Sequence, residues 1–431
     1  MSMKESNFYL LRYILMFNDD LLYKIRGQFE LIEQCPYQGK RIFFENAGGA
    51  LTLTSVVERS KELAAVPDNQ GRDNPASHEL VNIINQAKSD IRTFLGVKEG
   101  PVFVGESGTE LLFRLISAAI IAAPKGCDVV GSSLEHPATV SACTRWSDVA
   151  GANYIKVIHN DDTGSVTTED YIPHLSENTK VATILHTSPV TGISVNVKSI
   201  AKAIREVSPD CFIIVDGIQH AAHGALNIDD YNIDGYVISP YKVFSRHGYG
   251  IAWVSPRMAN IPHNRLIGSP EEQWELGTRD TASYATFSEV VKYFSWLGGH
   301  FSNSADLRER LIAAGKAVAQ HEKDITNAMI FGVDDIPGLA NMDKVTIIGG
   351  KDNPNRKGLV SIWVNDMASV DVVSALKENG IRVHVRKNDY YSGNILVPLN
   401  QDSCVRISMC HYNSLNEVKE FLRVMQTIIN S

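Results

Sequence analysis

Short apolar runs alternating with stretches of helical spacing dominate the middle of this chain. Pro101 to Val104, Asp128 to Gly131, Tyr154 to Ile158, Val181 to Leu185, Cys211 to Val215, Tyr236 to Ser239 and Gly250 to Val254 read as strands. Several are apolar almost without a break, as strands buried on both faces are, which predicts a mostly parallel sheet covered by helices. From Ser77 to Gly96 the apolar residues Leu80, Ile83, Ile84, Ala87, Ile91, Phe94 and Leu95 recur at helical spacing, and Gly96 is placed to end that helix.

The pattern changes near residue 300. Ser304 to His321 reads as a long, charged, alanine-rich helix able to bridge two domains. After it come a strand over Leu359 to Val364, a helix over Val370 to Asn379, strands over Ile381 to Val385 and Cys404 to Met409, and a helix over Ser414 to Ile429. The expected organisation is an N-terminal helical segment (1–42), a large α/β domain (43–303) and a small C-terminal α+β domain (304–431). Lys351 to Lys357 reads as an exposed loop.

Composition narrows the function. A chain of 431 residues is too long for one core, and a formal charge of −8 argues against a nucleic-acid partner. The six cysteines form no CxxC and no paired spacing, so neither a disulfide framework nor a zinc ribbon is indicated and a reducing cytoplasm fits best. The apolar patch Phe8 to Phe17 is interrupted by Arg12 and followed by Asp19 and Asp20. It reads as an amphipathic helix rather than a signal peptide, and no stretch reaches membrane-spanning length.

The chemistry centres on two strand ends. Ile213-Ile214-Val215-Asp216 is an apolar run ending in Asp, and Val237-Ile238-Ser239-Pro240-Tyr241-Lys242 ends in Ser-x-x-Lys, 26 positions on. Open α/β sheets bind ligands where such ends meet. A lysine there can form a Schiff base with an aldehyde cofactor and an aspartate can keep a pyridinium nitrogen protonated, the two groups pyridoxal 5′-phosphate (PLP) asks of its protein. Glu106-Ser107-Gly108-Thr109-Glu110 opens a helix after a strand and can cradle a phosphate, although an ordinary Ser cap accounts for it alone. Leu134-Glu135-His136-Pro137 puts an imidazole at another strand-to-helix turn.

Taken in order, Ser-Gly-Thr-Glu, Glu-His-Pro, Val-Asp-Gly-Ile-Gln-His, Ser-Pro-Tyr-Lys, Glu-Leu-Gly-Thr-Arg-Asp and Val-Arg-Ile-Ser-Met-Cys-His-Tyr-Asn resemble the class V aminotransferases of PLP fold type I, from about Phe43 onward. The branch they are most similar to is that of the cysteine desulfurases and selenocysteine lyases, with isopenicillin N epimerase-like proteins nearby. The resemblance implies a PLP enzyme acting on a small amino acid, as a homodimer with shared active sites. It makes Lys242 the Schiff-base lysine and proton shuttle, Asp216 the partner of the ring nitrogen and His136 the stacking ring. Gln219 would approach the ring hydroxyl; Gly108, Thr109 and Ser239 would hold the phosphate, with Tyr241 in reach of it. Gly277 and Thr278 would serve the phosphate of the other subunit. Arg406 would bind the substrate carboxylate as a bidentate fork, and Ala47 and Arg72 would line the substrate pocket, Arg72 from the partner chain.

Departures from the family pattern bear on the reaction. His186-Thr187-Ser188-Pro189 stands where a Ser-Asn would help hold the ring hydroxyl, and Tyr241 replaces the usual histidine. The loop Arg386 to Asn394 holds no cysteine, where a desulfurase carries its persulfide. The expectation is therefore a carbon–sulfur lyase or desulfurase-like enzyme that releases sulfur from cysteine, cystine or a thio-conjugate without a loop persulfide. Transamination, epimerisation or carbon–carbon bond formation is the alternative, and Arg386 and Lys387 could favour a second substrate carboxylate. A scaffold lacking PLP is a third reading, which Asp216, Lys242 and His136 together oppose.

Overall fold

The computed structural model describes residues 16–430. The main sheet has seven strands: β1 (Val102–Gly105), β2 (Asp128–Ser132), β3 (Asn153–Val157), β4 (Thr179–Leu185), β5 (Phe212–Asp216), β6 (Gly235–Ile238) and β7 (Gly250–Val254). They lie in the order β1-β7-β6-β5-β4-β2-β3, and only β7 runs against its neighbours. The α/β architecture with a mostly parallel sheet is the one the apolar runs predict.

Burial on both faces explains those runs. Ile213 and Val215 on β5 join one core while Ile214 joins another on the opposite face, and Tyr236, Val237 and Ile238 on β6 alternate in the same way. One face is covered by α4 (Gly108–Ala122) and α5 (Pro137–Ala150); the other by α3 (Pro75–Leu95), α6 (Val197–Val207) and α7 (Thr281–Gly298). Helix α3 begins at Asn74, whose side chain accepts from the Ser77 N–H, and ends at Gly96 in the left-handed region (φ 69°).

The long helix α8 (Leu307–Phe331) continues ten residues beyond the span its charge pattern suggested. Leu311, Ala314 and Val318 pack into the large core, whereas Ile325, Met329 and Ile330 pack into the core of the small unit. One rigid helix thus serves both. The small unit is an antiparallel sheet of β8 (Val345–Ile347), β9 (Leu359–Val364), β10 (His384–Lys387) and β11 (Ser403–Ser408), ordered β8-β9-β11-β10, with α9 (Ser369–Glu378) and α10 (Leu415–Asn430) against one face. Val405 and Ile407 of β11 point into that core; the alternate residues Cys404 and Arg406 face the large sheet.

The structure departs from the expected elements in places. The strand expected over Ile381 to Val385 is two pieces: Ile381–Arg382 pairs in parallel with Ile42–Phe43, and His384–Lys387 joins the small sheet. Helices over Thr54–Ala64 (α2) and Thr281–Gly298 (α7) were not expected. In α7, 14 of 18 residues are buried, so no polar face marks its period. The expected helix over residues 8–17 lies outside the described residues except for its last two, of which Phe17 is buried in the large core.

The loop Lys351 to Lys357 is mostly exposed, but Arg356 is not. Its guanidinium is buried and donates to the carbonyls of Thr191, Ile348, Gly350 and Leu359, tying the loop after β4 to the small unit. Four carbonyls lose their donor together if it is removed. Arg356→Ala should cost about 3 kcal/mol, read as a lower urea midpoint, and Arg356→Lys should not restore it, because an ammonium cannot span the fork.

Candidate active site

The C-terminal ends of β1, β2, β5 and β6 share one edge of the sheet, and the expected chemistry sits there. Asp216 is the last residue of β5, with 3% of its surface exposed. One carboxylate oxygen accepts from the Ile218 N–H at 3.0 Å. Burial pushes its pKa up to about 6, against the opposing pull of that N–H and of Lys242. Lys242 ends a single 3₁₀ turn, Pro240–Lys242, that follows β6. Its Nζ donates to Gln219 Oε1 at 3.1 Å. Desolvation lowers its pKa to about 8; Arg406 and Arg386 add to the lowering and Asp216 resists it.

His136 caps α5, its Nδ1 accepting from the Ala138 N–H at 3.2 Å, which assigns the proton of the neutral ring to Nε2. Burial, then the nearby Lys242 and Arg386, lower its pKa to about 4, so the imidazole is neutral at physiological pH. The Tyr391 ring lies 6.0 Å from it. Beside it is Glu135, for which the Glu-His-Pro motif implies no role of its own. Oε1 of Glu135 accepts from the Leu185 N–H at 3.0 Å, while Oε2 is buried without a partner. Burial, with Asp216 close by, raises its pKa to about 8.

At the end of β1, Ser107 caps α4 by accepting from the Glu110 N–H. That leaves the first-turn N–H groups of Gly108 and Thr109 for an anion. A Cβ on Gly108 would collide with Ser239 Oγ and Ile218, so glycine here lets the end of the helix close up beside the Ser239 hydroxyl.

A buried hydrogen-bonded chain continues behind Lys242. Gln219 Nε2 lies 3.4 Å from His223 Nε2, and His223 Nδ1 lies 2.7 Å from Glu322 Oε2 on α8. Because an amide nitrogen only donates, His223 Nε2 accepts and its Nδ1–H donates to Glu322. Glu322 thereby fixes which way the Gln219 amide faces. His223 was visible four residues after Gln219; Glu322, 99 positions away, had no sequence signal.

Arg406 reaches the same edge from β11. It is buried, donates to the Pro189 carbonyl at 3.1 Å, and its Nε has no partner. Ala47 lies in the adjoining turn Asn46–Gly48, where its N–H donates to Ser408 Oγ at 2.9 Å. The Tyr241 ring stacks on His247 at 4.3 Å and forms a wall beside Gly49. Behind the edge, His186 and His220 stack at 3.4 Å, and Thr187 Oγ1 lies 2.8 Å from His220 Nδ1.

Three expected site residues are not gathered here within the chain. Gly277 and Thr278 are exposed and line a surface cleft with Gln70 and Arg279. Arg72 is exposed on the loop before α3. Arg279 ties this surface to the α4 end through its ion pair with Glu106.

A strand-end lysine of lowered pKa and a buried aspartate lie beside a helix N-terminus, and residues 42–421 match the family model of the class-V aminotransferases. The chain belongs to that family, whose members are PLP-dependent enzymes. It is 24% identical over 420 residues to an aminotransferase-like protein of Gibberella zeae, covering 94% of this chain and 98% of the relative. A cysteine desulfurase-like protein of Aspergillus flavus is 24% identical over 414 residues, covering 91% and 88%. A cysteine desulfurase of Thermococcus onnurineus has the same fold, with a TM-score of 0.80, 19% identity and coverage of 95% and 98%.

The residues fit the cofactor. The first-turn N–H groups of α4 beside the Ser239 hydroxyl suit a phosphate, and the unpartnered buried oxygen of Glu135 and the buried Asp216 suit a polar heteroaromatic ring rather than a filled core.

Glu135 gives a pH test with a defined sign. Its folded pKa lies above its unfolded value of 4.5, so its contribution to stability is complete below about 4.5 and is lost as pH rises through about 8. Glu135→Gln keeps an acceptor for Leu185 without that loss. Its melting temperature should gain on the wild type progressively from pH 5 to pH 8, followed by circular dichroism.

Proposed function

We propose that this protein is a carbon–sulfur lyase or desulfurase-like enzyme acting on cysteine, cystine or a related thio-conjugate, with no protein thiol as sulfur acceptor. The observation that carries this reading is a proton-transfer lysine in a site without an accessible thiol. The loop Arg386 to Asn394 has no cysteine. Cys404 and Cys410 are at most 1% exposed, and burial lifts the Cys404 thiol to about 11. A displaced sulfur would leave as a small molecule rather than as a protein persulfide.

Bound at Lys242, pyridoxal phosphate supplies an electron sink that acidifies the Cα–H of an amino acid. Asp216 would keep the ring nitrogen protonated, and His136, neutral, would offer a flat face to the ring. Gly108, Thr109 and Ser239 hold the phosphate. Arg406 fixes the carboxylate of the substrate, with Ala47 and Tyr241 bounding the pocket. With the cofactor bound, Lys242 would take the Cα proton of the substrate and return it to the departing sulfur, which would keep the electron pair of the broken Cβ–S bond. The three-carbon product departs as 2-aminoacrylate, which water converts to pyruvate and ammonia.

The exposed positions of Gly277, Thr278 and Arg72 support a homodimer in which each chain completes the other's site. Six free cysteines suit a reducing, cytoplasmic setting. A second reading, transamination, epimerisation or carbon–carbon bond formation, is favoured by the two guanidinium groups near Lys242.

Product analysis separates these readings. With cystine or cysteine the PLP-loaded protein should yield pyruvate and reduced sulfur, and Lys242→Ala should lower the rate by at least about a thousandfold. Alanine with sulfide would indicate desulfuration instead; failure of every sulfur amino acid above the Lys242→Ala control rejects sulfur chemistry. Because the neutral amine is the reactive form, the rate at which the cofactor-free protein captures PLP should rise with pH, with a midpoint near about 8. Stopped-flow absorbance reads it.

A further inference from the structure

The buried chain behind Lys242 ends in side chains that the proposed reaction does not use. His223 follows β5, Glu322 lies on α8, the helix that enters both cores, and Cys410 stands two residues beyond β11, where the small unit meets the large core. A ring nitrogen of His223, a carboxylate oxygen of Glu322 and the Cys410 sulfur all lie within 4.8 Å of one another. The three residues are 5%, 2% and 1% exposed. Three segments far apart in the chain thus bring an imidazole, a carboxylate and a thiol to one point at the junction of the two units.

Hydrogen bonds leave this group short of donors. Glu322 Oε2 accepts from His223 Nδ1 at 2.7 Å, but Glu322 Oε1 is buried with no partner. Glu322 pulls on the buried Lys357, yet its one ion pair among the described residues is with His223. His321, the neighbour of Glu322 in the chain, donates from Nε2 to the Asn413 carbonyl at 3.1 Å, so its Nδ1 keeps a lone pair, also buried without a partner. The Cys410 thiol stays protonated, because burial and then Glu322 raise its pKa well above the ordinary value. Buried polar atoms are seldom left without a partner, and here the surplus is of lone pairs. A cation is what such a surplus accepts.

We propose that His223, Glu322 and Cys410 bind a zinc ion that fastens the two units together behind the cofactor edge. One imidazole nitrogen, one thiolate and a carboxylate are donors that zinc takes, and the free Oε1 of Glu322 makes a fourth donor atom available without water. A neutral imidazole, a thiolate and a carboxylate cancel the charge of the ion, so no net charge is left in the interior. Binding breaks the Cys410 S–H bond, forms a sulfur–zinc bond and releases one proton to solvent. The proton of His223 moves from Nδ1 to Nε2, and the Gln219 amide turns over to accept it. Zinc bonds of about 2.0–2.3 Å space their donors about 3.5 Å apart, so His223 and Glu322 part slightly while the Cys410 sulfur closes in.

The test uses the PLP-loaded protein carrying Cys35→Ser, which removes the one cysteine that is not buried. Equilibrated with zinc sulfate and passed through a desalting column, it should retain about one zinc per chain by atomic emission. Its melting temperature should rise by about 3 °C or more over the zinc-free protein. Cobalt in place of zinc should give the intense visible bands of a four-coordinate site. Cys410→Ser and Glu322→Gln should each weaken zinc binding by at least about tenfold, whereas Cys404→Ser, which removes another buried thiol, should leave it unchanged. No retained zinc, or zinc retained equally by Cys410→Ser and Glu322→Gln, overturns the site. Should either variant melt early in zinc-free buffer, the cobalt spectrum of the parent protein decides alone: the weak bands of a six-coordinate, water-bound ion overturn the site, and intense four-coordinate bands uphold it.

Discussion

Removing Lys242 from water without neutralising it by a close ion pair is the constraint from which the rest of the site follows. Its ammonium meets an amide oxygen of Gln219 rather than a carboxylate, with Asp216 acting only at a distance and two arginines opposing it. That balance lowers the pKa to about 8, where a substantial fraction of the amine is neutral. A direct carboxylate partner would keep it charged and inert. The same low-dielectric edge raises Asp216 and Glu135 and lowers His136, so the local groups tend toward their neutral forms.

Holding that arrangement requires support from far along the chain. Gln219 presents its oxygen to Lys242 because His223 accepts from its nitrogen, and His223 Nε2 is free to accept because the ring proton sits on Nδ1, which donates to Glu322. Glu322 comes from α8, the helix that enters both cores, so the orientation of one amide depends on how the two units meet. Arg356 fastens the same junction on its other side. The small sheet is thus part of the site, contributing Arg406 and Arg386 from one face while the opposite face packs against α9 and α10.

Strand runs, the α/β class and the positions of Asp216, Lys242 and His136 were legible in the sequence because each depends on local pattern: burial on both faces, or a polar residue at the end of an apolar run. The helix Thr281–Gly298 was not, because it is buried nearly all round and has no polar stripe. The strand over Ile381 to Val385 was read as one because hydrophobicity does not say that its two halves pair with different partners.

By itself the sequence determined which residues stand at the strand ends, since a lysine and an aspartate closing apolar runs and a capped helix after a third strand are all marked by neighbours along the chain. Tertiary structure alone decided what surrounds them. Whether Arg406 and Arg386 have carboxylate partners, whether Glu135 is solvated and which atom fixes Gln219 depend on contacts between residues up to hundreds of positions apart. Local periodicity carries no record of such contacts. Burial and pairing set the charge state of each group, and both exist only once the two sheets are packed together.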